Sequence, residues 1–290
     1  MRTTKALLAA ALAIAAILTS AALGGAPMGP PTATLEEGQW AFGAEFGLEE
    51  MDMEASGAFT QQFAPGPPIT IHQLFAVEDF ESTMAFGNLA YGVCDDWDIF
   101  LRLGAADSQG DIVIRPNNSN LVESKDSFDG GYAFAWGLGT RATFCRSGPW
   151  SFGGLVQVTW FNPRESDFAV LAPSPPPLDL VGDVELEYWQ TQVSLAVGYQ
   201  VDTLQCWVGP FLQFIEGDMD FDGNVIDTGV VIGTTSWTTD LEESSQFGLH
   251  AGVDWELVER TNLWVEGQLT SDSWLLGIGL AFSTEETFGK

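Results

Sequence analysis

Positive charge is what this 290-residue sequence has least of: 10 Lys+Arg stand against 40 Asp+Glu, a formal net charge of −30. So few cations exclude a nucleic-acid-binding surface, which needs clustered Lys and Arg to displace counterions. Histidine is scarcer still. The chain has only His72 and His250, which excludes a His-rich metal centre. No G-x-S-x-G elbow and no nucleophile–base constellation is present, so the sequence reads as a non-enzyme. Beyond the first 26 residues no apolar run is long enough for a membrane helix. What is abundant is apolar: 46% of residues are hydrophobic, with 20 Phe, 11 Trp and 4 Tyr, which excludes a disordered acidic chain. Glycine at 32 residues, with little lysine, points to strands and tight turns.

The N-terminus carries Arg2 and Lys5, then an apolar run from Ala6 to Leu18, then small residues with Ser20-Ala21-Ala22 or Gly24-Gly25-Ala26 as cleavage sites. That is the pattern of a secretory signal peptide over residues 1–26. Its removal takes both cations and leaves a net charge of −32. Residues 27–36 then read as a short flexible leader and 284–290 as a C-terminal tail, with one domain between them from 37 to 283.

Within that domain, side chains alternate with period 2 over ten segments: 39–49, 80–93, 97–105, 132–144, 150–162, 190–201, 206–214, 246–257, 262–270 and 274–282. In segment 80–93 Leu89, Tyr91 and Val93 alternate, but Met84 and Phe86 fall on the other parity, which predicts a bulge. The connections run long, short, long, short. Segments 54–79, 106–129, 163–185 and 215–243 alternate with turns such as Asp202-Thr203. Every short turn therefore lies at one end of an up-and-down meander.

The polar partners along these strands are Gly, Ala, Ser, Gln and isolated charges, not a solvated Lys/Glu face. Aromatics also fall at two heights. Trp40, Trp97, Phe144, Trp150, Tyr199, Trp255 and Phe282 lie toward the short turns; Phe46, Tyr132, Trp160, Trp189, Phe214, Phe247 and Trp274 lie toward the long connections. Two such girdles, about 25 Å apart for tilted strands, bracket an outer-membrane apolar band.

The hairpin from Tyr91 to Gly104 (YGVCDDWDIFLRLG) and the final strand Leu276–Phe282 resemble the small bacterial outer-membrane β-barrel families, porin-like proteins included. The resemblance covers nearly all of the mature chain. It implies an all-β, antiparallel up-and-down transmembrane barrel, read here as ten strands with eight or twelve as alternatives. It also implies contact with outer-membrane lipid and the barrel-assembly machinery, with long loops outside the cell and short turns in the periplasm. Eight residues follow Phe282, where the family's terminal strand ends near an aromatic.

Two functions fit. One is porin-like, with a narrow or plugged lumen passing small solutes with cation preference. The other is a structural or surface-binding barrel whose acidic loops recognise a partner or divalent cations. Inward positions nominate Glu45, Asp98, Arg102, Arg141, His250, Asp254 and Glu266 as a lumen network, the two arginines anchoring ion pairs, with Gln157, Gln190, Gln192, Gln213 and Gln268 beside them. Inward glycines leave room for water or simply let a small barrel curve. Asp218, Asp220 and Asp222 with Gly223 match the opening of a calcium loop, although Gly229 stands where the bidentate Glu belongs. No other cofactor is expected. Extending the pairing of Asp98 with Arg141 predicts a Cys94–Cys145 disulfide, leaving Cys206 unpaired.

Overall fold

The computed structural model describes residues 26–284 apart from 64–65, 116–123, 172–177 and 244–245; the expected signal peptide lies outside the described residues but for Ala26. Among the described residues twelve strands follow one another: β1 (Trp40–Phe63), β2 (Ile69–Cys94), β3 (Trp97–Arg115), β4 (Ser124–Ser147), β5 (Trp150–Phe161), β6 (Ser166–Leu171), β7 (Asp179–Val201), β8 (Leu204–Asp227), β9 (Val230–Glu243), β10 (Phe247–Val258), β11 (Thr261–Leu269) and β12 (Ser273–Ser283). All pairings are antiparallel. β1 meets β12 from Ala41↔Ser283 to Met51↔Ser273, which closes the sheet on itself. Near the short turns the strand order is β1–β2–β3–β4–β5–β7–β8–β10–β11–β12, with β1 joined to β2 there at Trp40↔Tyr91 and their pairing resuming at Met53↔Val77.

The strands are far longer than the period-2 segments suggested. β1 and β2 have 24 and 26 residues. At about 3.3 Å per residue and about 40° of tilt, strands of that length rise roughly 60 Å, more than twice the height of an outer-membrane band. Most of the segments 54–79, 106–129, 163–185 and 215–243 are strand, not loop. In this upper half β9 replaces β10–β12, pairing with β8 (Glu216–Asp227) and with β1 (Met53–Phe63). β6 takes over from β5 as partner of β7, from Ser166↔Val184 onward.

The two halves share strands but reverse their faces. Along β7, the inward residues Leu180, Val184, Leu186 and Tyr188 are apolar and buried; they give way to Gln190, Gln192 and Ser194. The outward residues do the opposite: Asp183, Glu185 and Glu187 precede Trp189, Val193, Leu195 and Val197. β8 switches at the same height, between Gln213 and Ile215 inside and between Phe214 and Glu216 outside. A strand keeps its side-chain parity throughout; only the solvent changes. Lipid surrounds the lower half and water the upper, so apolar residues face out below and in above.

This reversal, and not a bulge, accounts for the parity change between Phe86 and Leu89; the irregularities of β2 lie at the ends of the segment, between Glu78 and Glu81 and between Gly92 and Cys94. The register of β2 with β3 is unbroken from Glu81↔Gln109 to Gly92↔Asp98. Met84 and Phe86 point inward as core of the upper half, whereas Leu89 and Tyr91 point outward toward lipid. The upper core is one contiguous apolar cluster, including Met53, Phe80, Phe128, Phe168, Met219, Phe221 and Trp237. Phe221 stacks on Trp237 with centroids 3.9 Å apart.

Candidate functional site: the barrel interior

Below the apolar core the interior is polar, and it is occupied by the chain's own N-terminal segment. Residues 26–35 enter beside the short turns and rise along the lumen, with Ala26, Met28, Thr32 and Leu35 buried. Their composition suggested a flexible leader, but their backbone is held by side chains of the wall. Ala33 N donates to Thr143 Oγ1 (3.1 Å) and Thr34 N to Asp98 Oδ2 (2.8 Å). Higher up, Met28 N donates to Glu266 Oε1, and Ala26 N to Gln190 Oε1 at 2.7 Å. Ala26 O accepts from Gln157 Nε2 (3.3 Å) and Gln268 Nε2 (3.0 Å).

Inward glycines make the room. A Cβ at Gly47 would stand 2.7 Å from Pro27 Cγ, and one at Gly153 would stand 2.8 Å from Thr32 Cγ2. Others accommodate indoles: Gly279 lies against Trp264 and Gly252 against Trp207, each leaving 2.3 Å for an added Cβ. Both tryptophans are buried inside the lower barrel. The space those glycines leave is therefore filled by peptide and indole.

The nominated network assembles around this segment. Arg102 pairs with Glu45 (Nε–Oε1, 3.3 Å), and Arg141 with Asp98 (Nε–Oδ2, 2.9 Å). Arg102 Nη2 also donates to Gln157 Oε1 (2.7 Å), and its guanidinium lies 5.4 Å from the Phe100 ring centroid and 5.6 Å from that of Phe86. From Gln157 a relay of amides continues to Gln192, which donates to Gln268 (2.8 Å) and Gln213 (3.2 Å). Asp254 accepts from Asn262 Nδ2 (2.8 Å). His250 is buried too, edge-on to Phe211 at 6.1 Å between centroids. A cavity of about 90 Å³ remains between the N-terminal segment and the wall, lined in part by Glu45, Asn88, Arg102, Arg141 and Asp254. Arg102 Nη1, Asn88 Oδ1 and Asp254 Oδ1 are buried there without a hydrogen-bond partner. A polar space of this size takes several waters.

Outside, both aromatic girdles face away from the barrel. Trp97, Phe144, Trp150, Tyr199, Trp255 and Phe282 are exposed at the lower ring, and Phe46, Tyr132, Trp189, Phe214 and Phe247 at the upper. Between them the exposed residues are Leu103, Leu138, Val156, Val193, Leu195 and similar side chains. A ring of antiparallel strands with a polar inside and this apolar outside is stable only in a bilayer. The fold is that of a transmembrane β-barrel. No family model and no curated protein sequence matches it. Among solved structures the barrel is similar to the outer membrane protein OprG from Pseudomonas aeruginosa, at 11% identity and a TM-score of 0.43 over 87% of this chain and 98% of that one. The outer membrane protease OmpT from Escherichia coli is similar at 9% identity and a TM-score of 0.43, over 84% and 97% of the two chains. The toluene transporter TbuX from Ralstonia pickettii follows at 9% identity and a TM-score of 0.37, over 90% and 95%.

Two local expectations for this barrel fail on geometry. The three cysteines are unbonded. Asp98 does face Arg141, but the register cannot be extended to residue 94: the chain turns at Asp95-Asp96, so Cys94 belongs to β2 and β3 separates it from Cys145 on β4. The calcium motif is not a loop either. Asp218, Asp220 and Asp222 are alternate residues of the straight strand β8, about 7 Å apart along one face, too far to wrap one ion. No three-residue metal cluster occurs among the described residues.

Proposed function

We propose that this protein is a closed, non-conducting barrel that holds a tall acidic projection at the membrane surface, and that the projection is its interaction surface. The ten-strand circuit spans the membrane, the short turns lie in the periplasm and the long-stranded half stands outside the cell. One observation carries this reading: the upper interior is filled by a contiguous apolar cluster from Met53 through Trp237, directly above the amide layer of Gln157, Gln192 and Gln268. Ions do not cross such a plug, because burying an unpaired charge in it is prohibitive. Small-solute passage with cation preference, the other reading of the sequence, lacks a wet route through that cluster.

The outer face of the projection supports the second half of the proposal. Asp183, Glu185 and Glu187 on β7 stand directly opposite Asp222, Asp220 and Asp218 on β8, and Asp218 stands opposite Asp240 on β9. Like charges directly across a ladder cost stability, so a surface that keeps them favours a cationic partner or a layer of divalent cations. The test is planar-bilayer recording of the refolded mature chain. Silent membranes at either polarity are expected. Cation-selective steps would overturn the closed reading.

A further inference from the structure

The upper ring runs β1–β2–β3–β4–β6–β7–β8–β9, and among the described residues every neighbouring pair in it shares a backbone ladder except β4 and β6. β6 ladders with β7 alone, from Ser166↔Val184 to Leu171↔Asp179. β4 loses β5 above Ala135↔Phe161 and keeps only β3. Two sheet edges therefore face one another in the projection.

Side chains hold these edges where a ladder would be. The Asp126 carboxylate on β4 bridges them, accepting from Ser127 N on its own strand (2.9 Å) and from Ala169 N on β6 (2.6 Å). Asp129 N donates to Ser166 Oγ (3.1 Å), and Asp129 Oδ1 accepts from Gly131 N (3.2 Å). A backbone bond crosses only at the foot of the seam, where Arg164 N donates to Gly130 O (3.0 Å) as the chain enters β6. Short Asp and Ser side chains thus stand in for the amides of a strand, and they can rotate away. Sheet edges capped in this manner template pairing with an added strand.

The two faces of the seam specify that strand. On the inside Phe128, Phe168 and Val170 are buried. On the outside Asp129 and Asp167 are exposed, and Asp167 ends a cross-strand row that continues through Asp183 to Asp222. We infer that the β4–β6 seam takes an extended segment of a cationic partner as an added strand, with apolar residues inward and Lys or Arg outward. Its amides and carbonyls replace the side-chain clips, and its basic residues relieve the row of like charges, since opposite charges across a ladder stabilise it. A second copy of this chain would bring the same carboxylates to the seam, so charge selects a different partner. The inference deepens the reading of the projection as an interaction surface and rests on it.

Fluorescence anisotropy with the full mature barrel in neutral micelles tests it. The probe is a labelled, capped peptide of alternating lysine and valine, matched to the six residues of β6. Beside it stands the same peptide N-methylated at alternate residues, which keeps charge and side chains but lacks the donors of one edge. The plain peptide is expected to bind at least tenfold more tightly than the methylated one. Ala169→Pro removes a donor that faces the seam without changing any charge, and should weaken the plain peptide about tenfold. Asp126→Ala opens the clip and should strengthen binding about fivefold, the equivalent of one hydrogen bond, although the surface loses a carboxylate. Heat-modifiable gel mobility verifies that both variants fold. Equal binding of the two peptides, or a plain-peptide affinity that falls with Asp126→Ala and ignores Ala169→Pro, would overturn the seam and leave the acidic surface standing. Binding of neither peptide at low salt would overturn both.

Discussion

At the residue scale the interior is governed by compensation. Glu45 and Arg102 are both almost wholly buried and answer one another at 3.3 Å. Arg102→Met should cost about 3–5 kcal/mol by leaving Glu45 unpaired, whereas Arg102→Met with Glu45→Gln should recover most of that. Urea unfolding in micelles, followed by tryptophan fluorescence, measures both. Gly279→Val places a branched side chain into the Trp264 indole and should destabilise by about 1–3 kcal/mol in the same assay. Outside the membrane, the hydrogen bond from Lys125 to Asp111 holds the lysine pKa above its ordinary 10.5. Its contribution is therefore whole at neutral pH and disappears only as pH climbs through the raised value. Most of the buried charged groups were legible from parity alone, because an ionisable residue between two lipid-facing neighbours must point inward. Trp207 and Trp264 were not. Nothing in the alternation separates an indole that fills a lumen from one that anchors in a headgroup layer, since the difference lies in the glycines across from it.

At the scale of the element, the N-terminal segment is the informative case. Its sequence, APMGPPTATL over residues 26–35, has no period, because it forms no helix or strand. What fixes it is a lattice of side chains from the wall reaching its peptide groups, and such a partner set is spread over the whole chain from Asp98 to Gln268. No local reading finds it. Gly47→Leu should push Pro27 aside and release the segment. Proteolysis of the variant in micelles should then cut within residues 26–35, where the unaltered protein resists; mass spectrometry identifies the product. The long strands failed to show for a different reason. Charged residues at alternate positions, as in Asp183, Glu185 and Glu187, look like loop if apolar residues are expected to keep one parity, although period 2 runs unbroken through β7. The alternation was there; the assumption of one solvent along the whole strand hid it.

At the scale of the whole molecule, a soluble barrel stands on a membrane barrel and the two share strands. The upper part gains from burial of its aromatic core and loses from its like-charged skin, so its stability should depend on salt. Raising ionic strength from about 10 mM to about 500 mM shortens the screening length from about 30 Å to about 4 Å. Proteolysis midpoints for the projection should rise over that range, while the lipid-embedded half, whose outward residues are uncharged, should not respond. The fold class and both girdles could be read from the sequence because lipid imposes a simple rule. The height could not, because above the bilayer that rule is inverted. The buried position of Met28 also bears on how the protein can be handled. Anything left ahead of it, an affinity tag or a vector scar, would have to share a lumen already packed with peptide. Thr284, by contrast, is tied to Trp40 at the outer edge of the seam, beside the short turns. Tags at the two ends should therefore give different yields of folded barrel, with the C-terminal fusion the better.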